Sequence, residues 1–346
     1  MRRRLIRALL GLLGGLFVAS VLPNAAAQNT LLQVHFIDVG QGDSILIQAP
    51  DGATALIDGG DTNGIALAYL QSLGIQHVTA IIATHPHADH IGGLIDVMNT
   101  LEVGAIWTSG AVHTTGVYER FLDTIAARHI PYFEAAQNDT ITIGSLIFDV
   151  VYGQSSSENL NNTSLVLHLQ YNHVSFLFTG DAEASAERQM LRTVEPSRLA
   201  STVLKVGHHG SSTSSSPEFL NAVHPQIAVY LAGSGNSYGH PHSVTIDNLL
   251  SVGAVVYGTD TDGTVIMETD GETLQVHTTV PATLEFTVPD PAAVTLIYDP
   301  LGPDRDCGHF GTHEEAQAFF IAAGGPERDP HRLDGDDDGM ACESLP

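Results

Sequence analysis

Three imidazoles and one carboxylate fall within the six residues from His85 to His90, directly after an apolar run. The run Ile81–Ala83 is typical of a buried strand, so the cluster is predicted to begin where that strand ends. Neutral imidazole and carboxylate are ligands of zinc, and also of iron and manganese. His85 and His87 can leave the backbone on the same side, and Asp89 and His90 can face a second ion. The spacing therefore predicts a metal site, against the alternative of a solvated histidine-rich loop.

Short apolar runs alternate with helical stretches from Leu31 to about Val276, which predicts a layered α/β domain. The predicted strands are Val34–Val39, Ser44–Gln48, Ala55–Ile57, Ile81–Ala83, Leu146–Val151, Leu165–Gln170, Ser175–Phe178, Val203–Val206, Ile227–Leu231, Val255–Tyr257 and Val265–Glu268. The predicted helices are Ile65–Leu73, Gly116–Arg128, Ala182–Leu191 and Ser243–Leu250. Gly92 and Gly93 predict a tight turn before a further helix from Leu94.

Three more predicted strands end in groups that can serve a metal site. Asp181 follows Ser175–Phe178 and can bridge two ions, and imidazoles at 208 and 209 follow Val203–Val206. Asp58 follows Ala55–Ile57, and we expect it to orient a ligating histidine through the free ring nitrogen. A strand-end Asp is more often a turn residue, so it is the combination of several strand ends that indicates a site.

The order of these motifs resembles the metallo-β-lactamase superfamily and, more closely, the hydrolase domain of the ComEC competence proteins. The resemblance spans about residues 31–270 and lies in Phe36–Ser44, Leu56–Gly60, His85–His90, Asn161–Leu165, Thr179–Asp181, Leu204–Ser211 and Asn236–Pro241. It implies an αββα sandwich over residues 28–276 with two divalent ions, zinc or manganese, at one edge. It also implies hydrolysis, with cleavage of DNA or another phosphodiester as the expected activity of a freestanding, exported relative.

The resemblance also implies a role for each matching residue. It assigns the first ion to His85 and His87, the bridge to Asp181, and the second ion to Asp89, His90 and His208. We prefer His208 because it comes first after its strand; His209 is the fallback, or a contact for the substrate.

One departure concerns the first ion. Many members of the superfamily supply a third imidazole from the loop that here reads Asn161–Ser164, and no histidine stands there. His168 lies farther along, inside a predicted strand. We expect Asn162 or water to fill the position, which favours manganese over tightly bound zinc.

In the expected reaction, Asp89 orients the attacking water. His240 is the candidate for protonating the leaving oxygen or binding phosphate, with Asn236 and Tyr238 nearby. The alternative for His240 is a turn-stabilising residue before Pro241.

The N-terminus has the three parts of a secretory signal peptide. Arginines at 2, 3, 4 and 7 precede the apolar stretch Ala8–Leu22, and Ala25–Ala27 supplies small residues for cleavage, so residues 1–27 are predicted to be removed. An uncleaved N-terminal anchor is the alternative. No later segment is long and apolar enough to cross a bilayer. We expect a secreted or cell-surface protein.

The chain is strongly acidic, with 39 Asp and Glu against 13 Lys and Arg and a formal net charge of −26. Lys205 is its only lysine. Such a surface repels polyanions and argues against a long basic groove for duplex DNA. It favours short or single-stranded substrates, and also fits adaptation to salt or to an extracellular setting.

The C-terminal residues predict a small module that is stapled and binds calcium. Cys307 and Cys342 are expected to form a disulfide in an oxidising compartment. Carboxylates at alternate positions followed by Gly339 open a calcium loop, and its expected ligands are Asp334, Asp336, Asp338 and Glu343. The segment 304–346 resembles the Excalibur calcium-binding domain. Residues 277–303, rich in Thr, Val and Pro, are predicted to be a linker with one or two extended pieces.

The sequence is compatible with three functions. The first is an exported metal-dependent phosphodiesterase acting on nucleic acid. The second is a hydrolase of lactones, β-lactams or phosphocholine esters, because the same fold serves several chemistries. The third is a non-enzymatic protein that binds a cell surface through its calcium module.

Overall fold

Two mixed β-sheets pack face to face in the computed structural model, and helices cover both outer faces. The structure describes residues 31–280, 283–287, 298, 300, 302–303, 305–323, 330–333, 341–342 and 345. Within that part of the chain the architecture is the αββα sandwich that the sequence predicts. The signal peptide and all four expected calcium ligands lie outside the described residues.

The first sheet has nine strands among the described residues. In chain order they are β1 (Leu32–Phe36), β2 (Ile45–Gln48), β3 (Thr54–Ile57), β5 (Ala80–Ala83), β7 (Ile106–Thr108), β8 (Tyr132–Glu134), β16 (Val265–Thr269), β17 (Thr273–Thr278) and β18 (Thr283–Thr287). Across the sheet the order is β18-β17-β16-β1-β2-β3-β5-β7-β8. Pairing is parallel from β3 to β8 and antiparallel elsewhere.

The second sheet has seven described strands. They are β9 (Thr140–Ile143), β10 (Leu146–Tyr152), β11 (Val166–Tyr171), β12 (Val174–Phe178), β13 (Val203–Lys205), β14 (Ile227–Tyr230) and β15 (Val255–Gly258). Their order is β15-β14-β13-β12-β11-β10-β9, with parallel pairing from β12 to β15. A small separate ladder joins β4 (His77–Val78) to β6 (Glu102–Val103).

The described helices lie between or after the strands. They are α1 (Ile65–Ser72), α2 (Ala88–Thr100), α3 (Gly116–Ala127), α4 (Ala184–Thr193), α5 (Pro217–Val223), α6 (Ser243–Ser251), α7 (Thr259–Asp262) and α8 (His313–Ala323). Apolar side chains of α1, α2 and α3 pack on the outer face of the first sheet, and those of α4, α5 and α6 pack on the second. Among the described helices, none is long and apolar enough to cross a membrane.

The main core lies between the sheets and is built from aromatic and branched side chains. Phe36, Ile57, Phe148, Phe176 and Phe178 are each at most 1% exposed there. The alternate residues of the central strands face the helices instead, so these strands are buried on both sides and read as continuous apolar runs. This burial holds the strand ends that carry the polar groups rigidly.

Two regions differ from the sequence expectation. The segment between α2 and β10 contains β6 to β9, short strands that the sequence pattern does not predict. The strand β18 is one of the extended pieces expected in residues 277–303, but it pairs with β17, so the first sheet continues through Thr287 and does not end at about Val276. A separate small core contains Phe310, Phe319 and Phe320 beside the disulfide between Cys307 and Cys342, the pair that the sequence predicts.

Candidate metal centre

The polar ends of β3, β5, β12 and β13 meet at one edge of the sandwich. Asp58 follows β3, His85 follows β5, Asp181 follows β12, and His209 follows β13. Hydrogen bonds and close contacts connect all four of these ends. The sequence prediction that separate strand ends converge on one site is consistent with this arrangement.

Helix α2 begins at Ala88, six residues before the predicted start, so Asp89 and His90 lie in its first turn. Gly92 and Gly93 are inside the helix and do not form a turn. A Cβ on Gly93 would lie 2.0 Å from the carbonyl oxygen of Gly59. The glycines therefore allow α2 to approach the loop after β3 closely. This close approach fixes the position of His90 in the site.

The first possible ligand group comprises His85, His87 and Asp181. His85 Nε2 lies 3.0 Å from His87 Nδ1 and 3.8 Å from Asp181 Oδ2. The other ring nitrogen of His85 is engaged by the hydroxyls of Thr84 and Ser164, at 3.1 and 3.4 Å. This leaves Nε2 of His85 directed at the carboxylate.

The second group lies on the other side of Asp181. Its Oδ2 is 3.2 Å from His90 Nε2 and 3.4 Å from His209 Nε2. His209 Nε2 is also 3.4 Å from Asp89 Oδ2. One carboxylate oxygen of Asp181 therefore faces both histidine groups, as a bridging ligand would.

Asp43 also comes close enough to be a ligand, since it groups with His90, Asp181 and His209. However, it approaches the Nδ1 atoms, at 3.2 Å for His209 and 3.8 Å for His90. Those nitrogens are already bound to the Leu231 carbonyl and to Asp58 respectively. We therefore place Asp43 behind the rings and Asp89 on the metal side. Sequence reasoning missed Asp43, although it stands in the motif Phe36–Ser44.

Asp58 occupies the orienting position that the sequence predicts. Its Oδ2 accepts hydrogen bonds from His90 Nδ1 at 2.8 Å and from the Thr84 hydroxyl at 2.7 Å, and its Oδ1 accepts the Thr84 amide. This pairing turns His90 Nε2 towards Asp181.

Buried polar atoms without protein partners mark the place where cations fit. Among the described residues, no group makes a hydrogen bond to Nε2 of His90 or to Nε2 of His209. Burial alone would lower the pKa of His90, but Asp181 and Asp58 beside it hold that pKa well above its usual value. The carboxylates of Asp181 and Asp58 bring negative charge into this buried place, and that charge must be balanced. The imidazole and carboxylate donors around it therefore fit divalent ions.

The structure reverses the preference between the two adjacent histidines. His209 is 2% exposed and faces Asp181 and Asp89, whereas the ring of His208 turns towards the cavity. His208 Nδ1 lies 3.1 Å from Glu183 Oε1, and its Nε2 is 3.9 Å from Asp181. Both residues have positive φ, 46° for His208 and 55° for His209. Their side chains therefore point in directions different from those expected if the strand continued in an extended conformation.

Asn162 does not reach the position expected for it. Its Oδ1 accepts the backbone amide of Glu183, and its carbonyl accepts the hydroxyl of Tyr152. Its neighbour Asn161 lines the cavity instead.

The loop after β14 brings His240 and Tyr238 to the rim of a cavity of about 300 Å³, together with His87, Asp89, Asp181 and His209. Asn236 is held within its own loop. Its side-chain Nδ2 donates to the carbonyls of Gly233 and His240, and its Oδ1 accepts the backbone N–H of Tyr238. Burial and the neighbouring imidazole of His208 lower the pKa of His240 to about 4. His240 is therefore neutral at pH 7 and fits phosphate binding better than proton donation.

Lys205 lies buried behind the centre, 1% exposed. Its ammonium donates to the Gly180 carbonyl at 2.8 Å, pairs with Asp43, and lies 3.9 Å from Asp181 Oδ1. Burial would raise the pKa of Asp43, but Lys205 and His209 hold it below its usual value. Lys205 thus orients Asp181 so that Oδ2 faces the histidines.

Comparison with known sequences agrees with the fold. Residues 37–234 match the metallo-β-lactamase superfamily, so the chain belongs to that superfamily. It has a hydrolase fold with a candidate metal centre at the edge where β3, β5, β12 and β13 end.

Individual relatives match about two thirds of this chain. The chain is 29% identical over 253 residues to ComE operon protein 3 of Bacillus subtilis (strain 168), covering 67% of this chain and 32% of that protein. It is 29% identical over 252 residues to competence protein ComA of Neisseria gonorrhoeae, covering 70% and 33%. The match thus spans about a third of each relative's length. A diphosphatase of the PhnP family is similar at 15% identity and a TM-score of 0.42, covering 69% of this chain and 98% of that one.

Proposed function

We propose that this protein is a divalent-metal-dependent phosphodiesterase that acts on nucleic acid, with DNA as the first substrate to test. The observation that carries the proposal is the pair of ligand groups that share Oδ2 of Asp181 beside an open cavity. One of these relatives is named a competence protein, which supports nucleic acid as the substrate class.

Two sets of residues would bind the two metal ions. His85, His87 and Asp181 would hold one ion, and Asp89, His90, His209 and Asp181 would hold the other. When bound, two such ions supply Lewis-acid activation of water and neutralise charge on phosphate.

Residues that line the cavity would orient the attacking water and bind the substrate. Asp89, whose side chain is 34% exposed, accepts a hydrogen bond from the attacking water and orients it towards phosphorus. The neutral ring of His240 donates one N–H to a phosphate oxygen, and the exposed ring of Tyr238 offers a face for a base. Water attacks phosphorus and one P–O ester bond breaks; one hydrogen of the water stays on the new phosphate oxygen or leaves to solvent, and the other is passed through solvent to the departing alcohol.

The direct test compares Asp89→Asn with Asp96→Asn. Asp96 is an exposed carboxylate on the same helix, so it controls for charge removal from α2. With manganese or zinc added, we expect Asp89→Asn to lose roughly 10²–10⁴-fold in turnover of DNA and of a nitrophenyl phosphodiester. Its free energy of unfolding in chelator should change by about 1 kcal/mol or less. Asp96→Asn should behave like the wild type.

The same assay decides among the competing functions. Nitrocefin, a lactone and a phosphocholine ester are included as substrates. Cleavage of any of these without cleavage of DNA, RNA or the nitrophenyl diester would replace the phosphodiesterase with the second class. No turnover despite two bound metals would favour the surface-binding protein, and full activity of Asp89→Asn would refute the mechanism.

We also propose that the protein is exported and that its C-terminal segment binds calcium at Asp334, Asp336, Asp338 and Glu343, with cell-surface association as the consequence. The four arginines and apolar stretch of residues 1–27 support export, and the Cys307–Cys342 disulfide fits an oxidising compartment. Mass spectrometry of the secreted protein should show a chain that starts at Gln28. Calorimetry of the full chain should show calcium binding that Asp336→Asn weakens; equal binding by both proteins would refute the assigned loop.

A further inference from the structure

The amide of Asn161 carries a buried oxygen that has no explained partner. Asn161 is 7% exposed and lies in a short 3-10 turn between β10 and β11. Among the described residues, no group donates a hydrogen bond to its Oδ1, and that atom is shielded from solvent. An acceptor left this way is costly unless a cation or a donor occupies the space beside it.

The orientation of this amide is fixed by its neighbours. The Nδ2 atom donates to Glu183 Oε1 at 2.8 Å, and a carboxylate can only accept, so the amide cannot be turned around. Asn159 caps the Asn161 backbone amide at 3.0 Å and also donates to Glu183, which holds the turn in place. Oδ1 is therefore the free end of a fixed group.

The surroundings of Asn161 belong to the metal centre. It lines the same cavity as His87 and Asp181. The Nε2 atoms of His90 and His209, which face Asp181, show the same combination of burial and missing partner. Among the described His, Cys, Asp and Glu residues, the first ligand group comprises two imidazoles and one carboxylate, which leaves a position for a donor of another kind.

We propose that Asn161 Oδ1 is a ligand of the ion held by His85, His87 and Asp181. The inference rests on the proposed function, because it assumes that this group binds a divalent ion. A neutral amide oxygen is a harder donor than imidazole, so it shifts the preference of the first site from zinc towards manganese. Asn162, one residue on, has its own Oδ1 engaged and serves as the matched control.

The test counts manganese ions bound by the full metal-free chain, using the electron paramagnetic resonance signal of free Mn²⁺. The wild type should bind two ions. Asn161→Leu should bind one of them about tenfold or more weakly, with the other unchanged. Asn162→Asp, which keeps the acceptor for the Glu183 amide, should bind as the wild type does. Asn161→His should raise the affinity for zinc relative to manganese.

Wild-type binding of both ions by Asn161→Leu would overturn the inference, as would a loss of affinity in Asn162→Asp as large as that in Asn161→Leu. If circular dichroism shows that the Leu variant is unfolded, a manganese-loaded crystal structure of the wild type decides instead, by the presence or absence of a bond from Asn161 Oδ1. No substrate enters these measurements. The wild type could bind two ions, one of them with Asn161 as a ligand, and still cleave no phosphodiester. That result would refute the proposed function and leave this ligand assignment intact.

Discussion

Lys205 places a positive charge in the interior next to two carboxylates. Its ammonium contacts Asp43 and the Gly180 carbonyl and is shielded from solvent. A buried pair of this kind adds little net stability, but removing one partner leaves the other charge uncompensated. Lys205 and Asp43 should therefore be strongly coupled.

We predict that Lys205→Met lowers the free energy of unfolding by about 3–5 kcal/mol in urea, measured in chelator so that metal binding does not contribute. The double variant Lys205→Met/Asp43→Asn should recover a large part of that loss, because the unpaired carboxylate is gone. A double-mutant cycle gives the coupling energy. A single variant within about 1 kcal/mol of the wild type would show that the pair is not important for the fold.

Sequence reasoning was most successful with residues in regular structure and least successful in turns. The positions of His85, His87 and Asp181 follow from the strands before them. The sequence favoured His208 over His209, whereas His209 faces Asp181, because two successive residues with positive φ redirect both side chains. Asp43 was missed because the motif identifies the loop but not which of its side chains turns inward.

At the scale of elements, the close contact between α2 and the loop after β3 sets the geometry of the centre. Gly59 N donates to the carbonyl of His90 at 2.7 Å, and Gly93 N donates to the carbonyl of Gly60 at 3.0 Å. The sequence pattern predicted the helix but placed its start too late, since a Gly-Gly pair usually disfavours helix. Tertiary packing overrides that local preference here.

We predict that Gly93→Ala destabilises the protein by roughly 1–3 kcal/mol, although alanine alone would favour the helix by about 1 kcal/mol. The added Cβ collides with the Gly59 carbonyl, so α2 must move and carry His90 away from Asp58. Gly116→Ala is the control, because a Cβ there meets only the flexible end of Arg120 at 3.4 Å. Urea unfolding of both variants provides the measurement, and equal stabilities would contradict this account of the glycines.

The whole molecule combines an acidic surface with a candidate site for a polyanion. The formal net charge is −26, and among the described residues that line the cavity none is Lys or Arg. The charge that meets a phosphate should therefore come from bound metal ions, together with the N–H of His240. The composition predicted this property directly, whereas the αββα arrangement came from the order of the motifs.

We predict that DNA hydrolysis depends only weakly on salt. A nuclease that neutralises phosphates with Lys and Arg loses affinity with a slope of about −0.9 per phosphate in a plot of log affinity against log salt. Here kcat/KM on single-stranded DNA, measured with saturating metal from low to moderate salt, should give a slope of magnitude about 2 or less. Ser237→Lys places one cation on the exposed rim and should steepen the slope by about 1. A wild-type slope as steep as about −5 would mean that basic side chains elsewhere on the chain bind the DNA. The prediction that bound metal ions supply most of the positive charge for substrate binding would then be wrong.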